Sequence, residues 1–481
     1  MRPEEIKKAV FQKIDENRDT ITGWANDLLR MPELGFREVK TAGYMKRQFA
    51  YLGLSDIREG LVLTGVSGRY AGAGHAGTVG VMGELDALIC EGHPYADPST
   101  NAAHACGHYV QLTSVLGCAL ALRDYMQYLG GDVEFIAVPC EEGVSLDYRD
   151  YLEKERGLRL FGGKQEFIRR GYVNDLDAVV MMHTAPVPET VIDIPTGGRT
   201  FGGKKITIEG KATHSGGENH LGVNALQCAN LIISGINAIR ETFRPEDLIS
   251  VNAIIREGGI STGTIPGRSV LEVSIRAGST DAVERAGSQI DRIAKGCAYA
   301  LGACAEIRNY PGYLPLHDAG CLVDVMRENA EALVGKENVS VTAGTPAITT
   351  DTGDLSHCLP AVQASIGGGF YGMHHCRDFV VKDEESAYIL PVKLLAGAVV
   401  DLLADRAEKL KRVKESFDYP FGQEPAEEYA KRYGVSVPAS NRGSQKLPDR
   451  SCGSQAPDRR CSAGTAEESR GTDASERGGG R

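Results

Sequence analysis

Five short stretches of this chain hold side chains that can bind a cation or move a proton. They are "HACGH" at 104–108, "CEEG" at 140–143, "MMHT" ending in His183 and Thr184, "HHCRDF" from His374, and "GKATHSG" around His214. A thiolate with imidazoles and carboxylates is a donor set for Zn²⁺, or for Mn²⁺ where oxygen dominates. Cys106 and His108 are too close to share a helical face, but a turn at a helix entrance can aim both inward. Two other readings fit the same letters. Cys106 could be a nucleophile activated by His108 or His104, or the stretch could be an ordinary helix entrance. The adjacent glutamates 141 and 142 permit a division of labour, one binding a cation and the other taking a proton. General-base help of that kind is worth roughly 10²–10⁴-fold.

The elements that must position these groups are legible as apolar runs. "TVGVMGEL" runs into Glu84 and Asp86, "DVEFIAVP" into Cys140, Glu141 and Glu142, "AVVMM" into His183, and "AVQASIGGG" towards His374 and His375. Near-continuous Val/Ile/Met runs between helical segments predict a parallel sheet buried on both faces. Four strands ending in an acid or a ligand mark the carboxyl edge, where open α/β sheets bind ligands. That agreement favours a site made of Cys106, His108, Glu142, His183 and His375 over separate structural roles. Cys90, Cys118, Cys228, Cys297, Cys304, Cys321 and Cys358 read as small core or surface residues. His75, His93 and His317 read as loop or surface histidines, and His104 either orients the Cys106 loop or caps the helix. "GAGHAG" at 72–77 matches a dinucleotide fingerprint but leads into a strand rather than a helix, so a glycine turn between strands is the better reading.

The pattern changes after about Gly197. The segments "GKKITIEG", "GVNALQCANLIISGINAIRETF", "LISVNAIIREG", "SVLEVSIRAG", "TDAVERAGSQIDRIAKGCAYALG" (with a Thr-Asp cap) and "CAEIRNY" give the order β-α-β-β-α-β of a ferredoxin-like unit. The expected architecture is an α/β catalytic domain (1–197 and 312–437) interrupted by an α+β lid (198–311), with a disordered tail at 438–481, where Ser, Gly, Arg and Asp replace apolar residues. A net charge of −11 argues against nucleic acid as a partner, because phosphate binding wants a basic face. No signal peptide and no run of the ~18 apolar residues that span a bilayer are read, so no membrane is expected. Twelve cysteines without a secretory signal read as reduced thiols in a cytoplasmic protein.

"HACGH", "CEEG", "MMHT", "GKATHSG" and "HHCRDF", in this order around an inserted lid, resemble metallopeptidase family 20. "GELDAL", "DTGDLSH" and "DEESAYILPVKLLAGAVVDLL" are similar to its amidohydrolase branch, above all the aminobenzoyl-glutamate-hydrolase-like members; the resemblance covers roughly residues 5 to 435. It implies two divalent metal ions held by Cys106, His108, Glu142, His183 and His375. It implies Glu141 as general base, Asp86 behind the ligands, His214 of the lid as oxyanion stabiliser and Arg276 as holder of a substrate carboxylate. It also implies a homodimer through the lid and hydrolysis of N-acyl amino acids, aminobenzoyl amino acids or small peptides. The chain departs from many relatives at Tyr109, where Asp or Asn is usual, and before the lid Ile-Pro, where relatives often have Asn and this chain has Gly263-Thr264-Ile265-Pro266. His374 beside His375 leaves two candidates for one ligand. The rival functions are a cysteine hydrolase using Cys106 and a non-catalytic metal-binding scaffold.

Overall fold

A computed structural model describes residues 1–434 apart from 347, 423 and 424. The tail expected at 438–481 lies outside the described residues. The main body is built on an eight-stranded sheet. From one edge its order is 55–61, 65–70, 132–138, 78–84, 178–184, 361–366, 192–195, 339–342. The four central strands, Asp132–Val138, Thr78–Glu84, Ala178–Thr184 and Ala361–Ile366, run parallel to one another. Every residue of the first two is buried, as the apolar runs require of strands covered on both faces. The four flanking strands were not read from the sequence. Three of them are short or carry exposed polar residues, such as "SDIREGL" at 55–61; the fourth, "GVSGRY" at 65–70, is buried but holds two glycines and a single aliphatic residue, so its hydrophobic signal is weak too.

Helices cover both faces of the sheet. One layer contains Pro3–Glu16, Arg18–Leu29, His108–Leu122 and Leu390–Ser416, whose apolar residues join the strands in one core. The segment Glu385–Ser416 is long and apolar enough to cross a membrane, which corrects the expectation that the chain holds no run of that kind. It lies 89% buried inside the fold, as a core helix does. The other face carries a second core built around Met82, Ile136, Val179, Phe167 and Leu355.

Residues 200–311 form their own four-stranded antiparallel sheet, ordered 250–257, 268–277, 200–209, 304–311. Helices Ala225–Ala238 and Thr280–Ala300 bury Ile232, Ile236, Ile290 and Ala294 in a separate core with that sheet. The strand and helix order is the expected β-α-β-β-α-β. One detail differs: the second helix is capped by Ser279, whose hydroxyl accepts from the amide of Ala282, and not by the Thr-Asp pair.

"GAGHAG" connects strands 65–70 and 78–84 and opens no helix. The carboxylate of Asp132 accepts from the amide of Gly72, and the carbonyl of Gly130 accepts from Ala76. A Cβ at Gly72 would meet the carbonyl oxygen of Gly131 at 2.0 Å. The glycine therefore serves a close backbone approach between two loops.

Candidate metal centre

The sequence-predicted groups gather at the carboxyl ends of the four parallel strands. Gly107, in the left-handed conformation, ends the turn, and His108 begins the helix. The turn thus swings Cys106 and His108 to the same side. A Cβ at Gly107 would meet Thr184 Cγ2 at 2.6 Å, so only glycine lets this loop pack on the strand that carries His183. After strand 132–138 the chain turns sharply through Cys140 (φ 51°) and Gly143 (φ 76°), which presents Glu141 and Glu142. Cys140 holds this costly backbone while its amide donates to buried Glu38 at 2.9 Å. His375 is a second left-handed non-glycine residue (φ 63°), and its amide donates to the carbonyl of Ala105 at 2.8 Å. Two loops that lie far apart in sequence are thereby tied together.

Two overlapping groups of donor atoms result, each with its atoms within 4.8 Å of one another: Cys106, His108 and His183, and Cys106, Glu142 and His375. Cys106 belongs to both. Its sulfur lies 3.6 Å from His183 Nε2, and His375 Nε2 lies 3.2 Å from Glu142 Oε1. The Nδ1 atoms of buried His108 and half-buried His183 face carbonyl oxygens, His108 that of Asp86 and His183 that of Thr184, each at 2.9 Å. A carbonyl only accepts, so Nδ1 carries the hydrogen and Nε2 turns its lone pair to the cluster. His108 Nε2 and Glu142 Oε1 are buried and make no well-aligned hydrogen bond among the described residues, although Glu84 Oε2 lies 3.0 Å from the first and His375 Nε2 3.2 Å from the second. Orphaned donor atoms of this kind, aimed at a shared point, are what a bound cation would satisfy. The residues fit divalent metal ions, which Cys106, His108, Glu142, His183 and His375 would hold.

Electrostatics separate the two glutamates. Burial, with Glu84 and Glu142 beside it, pushes the Glu141 carboxyl well above its ordinary range. Glu142 is held below that range against its burial, by His375 and His108. Burial and Glu142 push the Cys106 thiol up, the opposite of what a cysteine nucleophile needs. His108 is drawn up against its burial by Glu84 and Asp86. A cation in the cluster reverses both of these last directions, because it favours thiolate and neutral imidazole.

Asp86 is buried beside the cluster. Its side chain accepts from the amide of Glu142 at 2.9 Å and lies 3.3 Å from His108 Nδ1. His374 is occupied elsewhere, with Nε2 2.9 Å from the hydroxyl of Thr184, which leaves His375 as the residue facing Glu142. His104 packs its ring on Tyr109 at 5.6 Å and does not cap the helix, whose cap is Gly107. His93, read from sequence as a loop or surface histidine, is buried and lies 2.9 Å from the carbonyl of Phe379. The structure does not bring His214 or Arg276 into the cluster. Both are exposed on the lid, and His214 Nδ1 accepts from the amides of Gly216 and Gly217.

Four residues around the cluster escaped the sequence reading. Glu84, noted only as a strand-end acid, is fully buried 3.0 Å from His108 Nε2. Gln111 donates to its other face at 2.6 Å, and buried Lys164 pairs with both Glu84 and Asp351. The hydroxyl of Tyr313 donates to the carbonyl of Glu141 at 2.5 Å. A lysine in "GGKQEF" carries a signal only once Asp351 is known to face it, 187 residues on.

The model of peptidase family M20/M25/M40 matches residues 73–399. The chain belongs to this family. Among its relatives, the N-acetylcysteine deacetylase of Bacillus subtilis is 27% identical over 328 residues, which cover 64% of this chain and 78% of that protein. A p-aminobenzoyl-glutamate hydrolase polypeptide of Escherichia coli is 24% identical, covering 82% and 80%. The Xaa-Arg dipeptidase of mouse is 26% identical, covering 86% and 92%. A dinuclear metal-binding peptidase of the same family from Bacillus subtilis superposes with a TM-score of 0.58 at 22% identity, over 81% of this chain and 99% of that one. The resemblance read from the motifs therefore holds, and so does the fold expected from it. The chain is a hydrolase of amide bonds.

Proposed function

We propose that the chain cleaves the amide bond between an acyl or aminobenzoyl group and an amino acid, or that of a small peptide, with Zn²⁺ or Mn²⁺ as its two ions. The observation that carries this reading is the convergence of Cys106, His108, Glu142, His183 and His375 on orphaned donor atoms, with Glu141 beside them and held by no ion pair to a lysine or arginine among the described residues. The ions, when bound, would polarise the scissile carbonyl and make water nucleophilic near neutral pH. Glu141 takes the proton of the attacking water and returns it to the leaving amine, a task suited to a carboxyl raised towards neutrality. Asp86 keeps His108 and the Glu142 backbone in place.

His214 and Arg276 have no part in the site of their own chain here, so we infer that the lid completes the site of a second copy. Strand Ser250–Glu257 is an edge of the lid sheet, and Ile254 and Ile255 lie on it 45% and 40% exposed. Such an edge favours pairing with an identical chain. There His214 would donate to the oxyanion and Arg276 would hold a substrate carboxylate by a bidentate fork. The cysteines of the described residues are free thiols, in keeping with a cytoplasmic setting.

A hydrolysis screen of N-acyl amino acids, aminobenzoyl-glutamate and dipeptides tests the reading, run with Zn²⁺, Mn²⁺ or Co²⁺ and with a chelator. Activity should vanish on chelation and return with metal. Turnover that survives the chelator and is lost on alkylation would instead make Cys106 the nucleophile. Metal bound tightly with no turnover on any substrate would favour a scaffold.

A further inference from the structure

We propose that Glu84 is itself a ligand of the ion that His108 helps to hold, and that Lys164 is the buried counter-charge that fixes it there. The inference rests on the metal reading above and adds a residue to it. Glu84 ends the central strand Thr78–Glu84, fully buried, so its carboxylate projects from the most rigid part of the sheet. Lys164 Nζ lies 2.5 Å from Oε1, and Gln111 Nε2 donates to Oε2 at 2.6 Å. That leaves Oε2 with one free direction, and His108 Nε2 stands 3.0 Å away.

The imidazole is the deciding partner. With Nδ1 committed to the carbonyl of Asp86, neutral His108 presents a lone pair from Nε2. This nitrogen and the Glu84 oxygen, 3.0 Å apart in a dry pocket, need a positive centre between them; a proton supplies it in the metal-free chain, and a cation would take its place by bonding both. His108 Nε2 makes no well-aligned hydrogen bond among the described residues. Donor atoms of Glu84, His108 and Glu141 lie within 4.8 Å of one another, a third group that shares His108 with the first. Lys164 does not compete for this position, because its ammonium group is spent on Oε1 of Glu84 and on Asp351. The pairing also keeps the fold from carrying an unpaired buried carboxylate when metal is absent.

Affinity alone cannot test this, since removing a group that merely orients His108 also weakens metal binding about 10–100-fold. Coordination number can. Wild-type, Glu84→Gln and Glu84→Asp proteins are loaded with two equivalents of Co²⁺, and the visible ligand-field bands are recorded per bound ion, with circular dichroism to verify folding. Loss of an oxygen ligand should intensify and shift the bands in Glu84→Gln, because lower coordination numbers give stronger cobalt absorption, and should weaken binding of one ion at least tenfold. Glu84→Asp keeps the charge opposite Lys164 and retracts the carboxylate by one methylene. It should show the same change in the bands, and it carries the test if the glutamine variant does not fold. Spectra per ion superimposable on wild type would overturn the proposal and leave Glu84 as a group that only orients His108. A wild-type protein that binds no ion would overturn the metal reading itself.

Discussion

The hydroxyl of Tyr313 donates to the carbonyl oxygen of Glu141 at 2.5 Å. Tyr313 lies just beyond the last lid strand, Cys304–Pro311, and its ring meets those of Phe161 and Phe201 edge-on, at 6.0 and 4.8 Å. Phe201 belongs to the first lid strand. The general-base candidate is therefore held by a residue of the segment that follows the last strand of the second sheet. Tyr313→Phe should preserve the ring packing and metal content but lower kcat severalfold, the equivalent of one hydrogen bond at about 1 kcal/mol. Steady-state kinetics with elemental analysis checks this; unchanged kcat would show that the bond does not position Glu141.

The adjacent glutamates should separate cleanly. Glu141→Gln should keep both ions and the fold while turnover falls by roughly 10²–10⁴, since only the proton-transfer group is lost. Glu142→Gln should lose metal as well, because its Oε1 faces His375 in the shared cluster. Near-normal turnover by Glu141→Gln would place the base elsewhere.

Cys106 is common to both donor groups, whereas His375 belongs to one. Cys106→Ala should therefore reduce occupancy of both ions and His375→Ala of one. Metal analysis of the purified variants decides; two full equivalents in both would end the assignment.

His214→Ala and Glu141→Gln proteins should each be nearly inactive, the first because losing an oxyanion donor costs about 10²–10³ in turnover. Mixed together, they should recover part of the activity, since a mixed dimer has one site with both groups intact. Once subunit exchange is verified, no recovery would confine His214 to its own chain or exclude it from the reaction.

Away from the metal centre, burial lowers the pKa of His357 to about 4, against a bond from its ring to the carbonyl of Gly353. The folded state thus prefers the neutral ring, and the unfolded chain takes up the proton first. The stability contribution is full above pH 6.5 and is lost as pH falls towards 4, up to about 3 kcal/mol in all. His357→Gln should flatten the acid side of the stability curve in urea unfolding between pH 7 and 4. A curve parallel to wild type would show that other groups set the acid limit.

The central sheet was legible because its strands are buried on both faces, and each carries an uninterrupted apolar run into its polar end. His183 and Glu142 could be placed from that pattern alone. The antiparallel edge at 55–70 was not, since "SDIREGL" exposes most of its residues and shows no period. Glu38 and Lys164 were illegible for a different reason. An isolated Glu or Lys in a sequence is almost always solvated, and only the fold reveals that Cys140 and Asp351 meet them in the interior. Which of His374 and His375 faces Glu142 is likewise a tertiary matter, seen in the contacts of His374 with Thr184 and of His375 with Glu142.

The parallel pairing of strand 178–184 with 361–366 has a consequence for how the protein is made. During synthesis, Cys106, His108, Glu142 and His183 leave the ribosome long before His375. The intervening chain is mostly the lid, whose core is built from residues within 200–311, so it can fold first and shorten the loop that must close. The first donor group can then form as soon as its three strands assemble, while the second waits for the last parallel strand to dock. The two donor groups are thereby completed in order along the chain, and the one that needs His375 comes last.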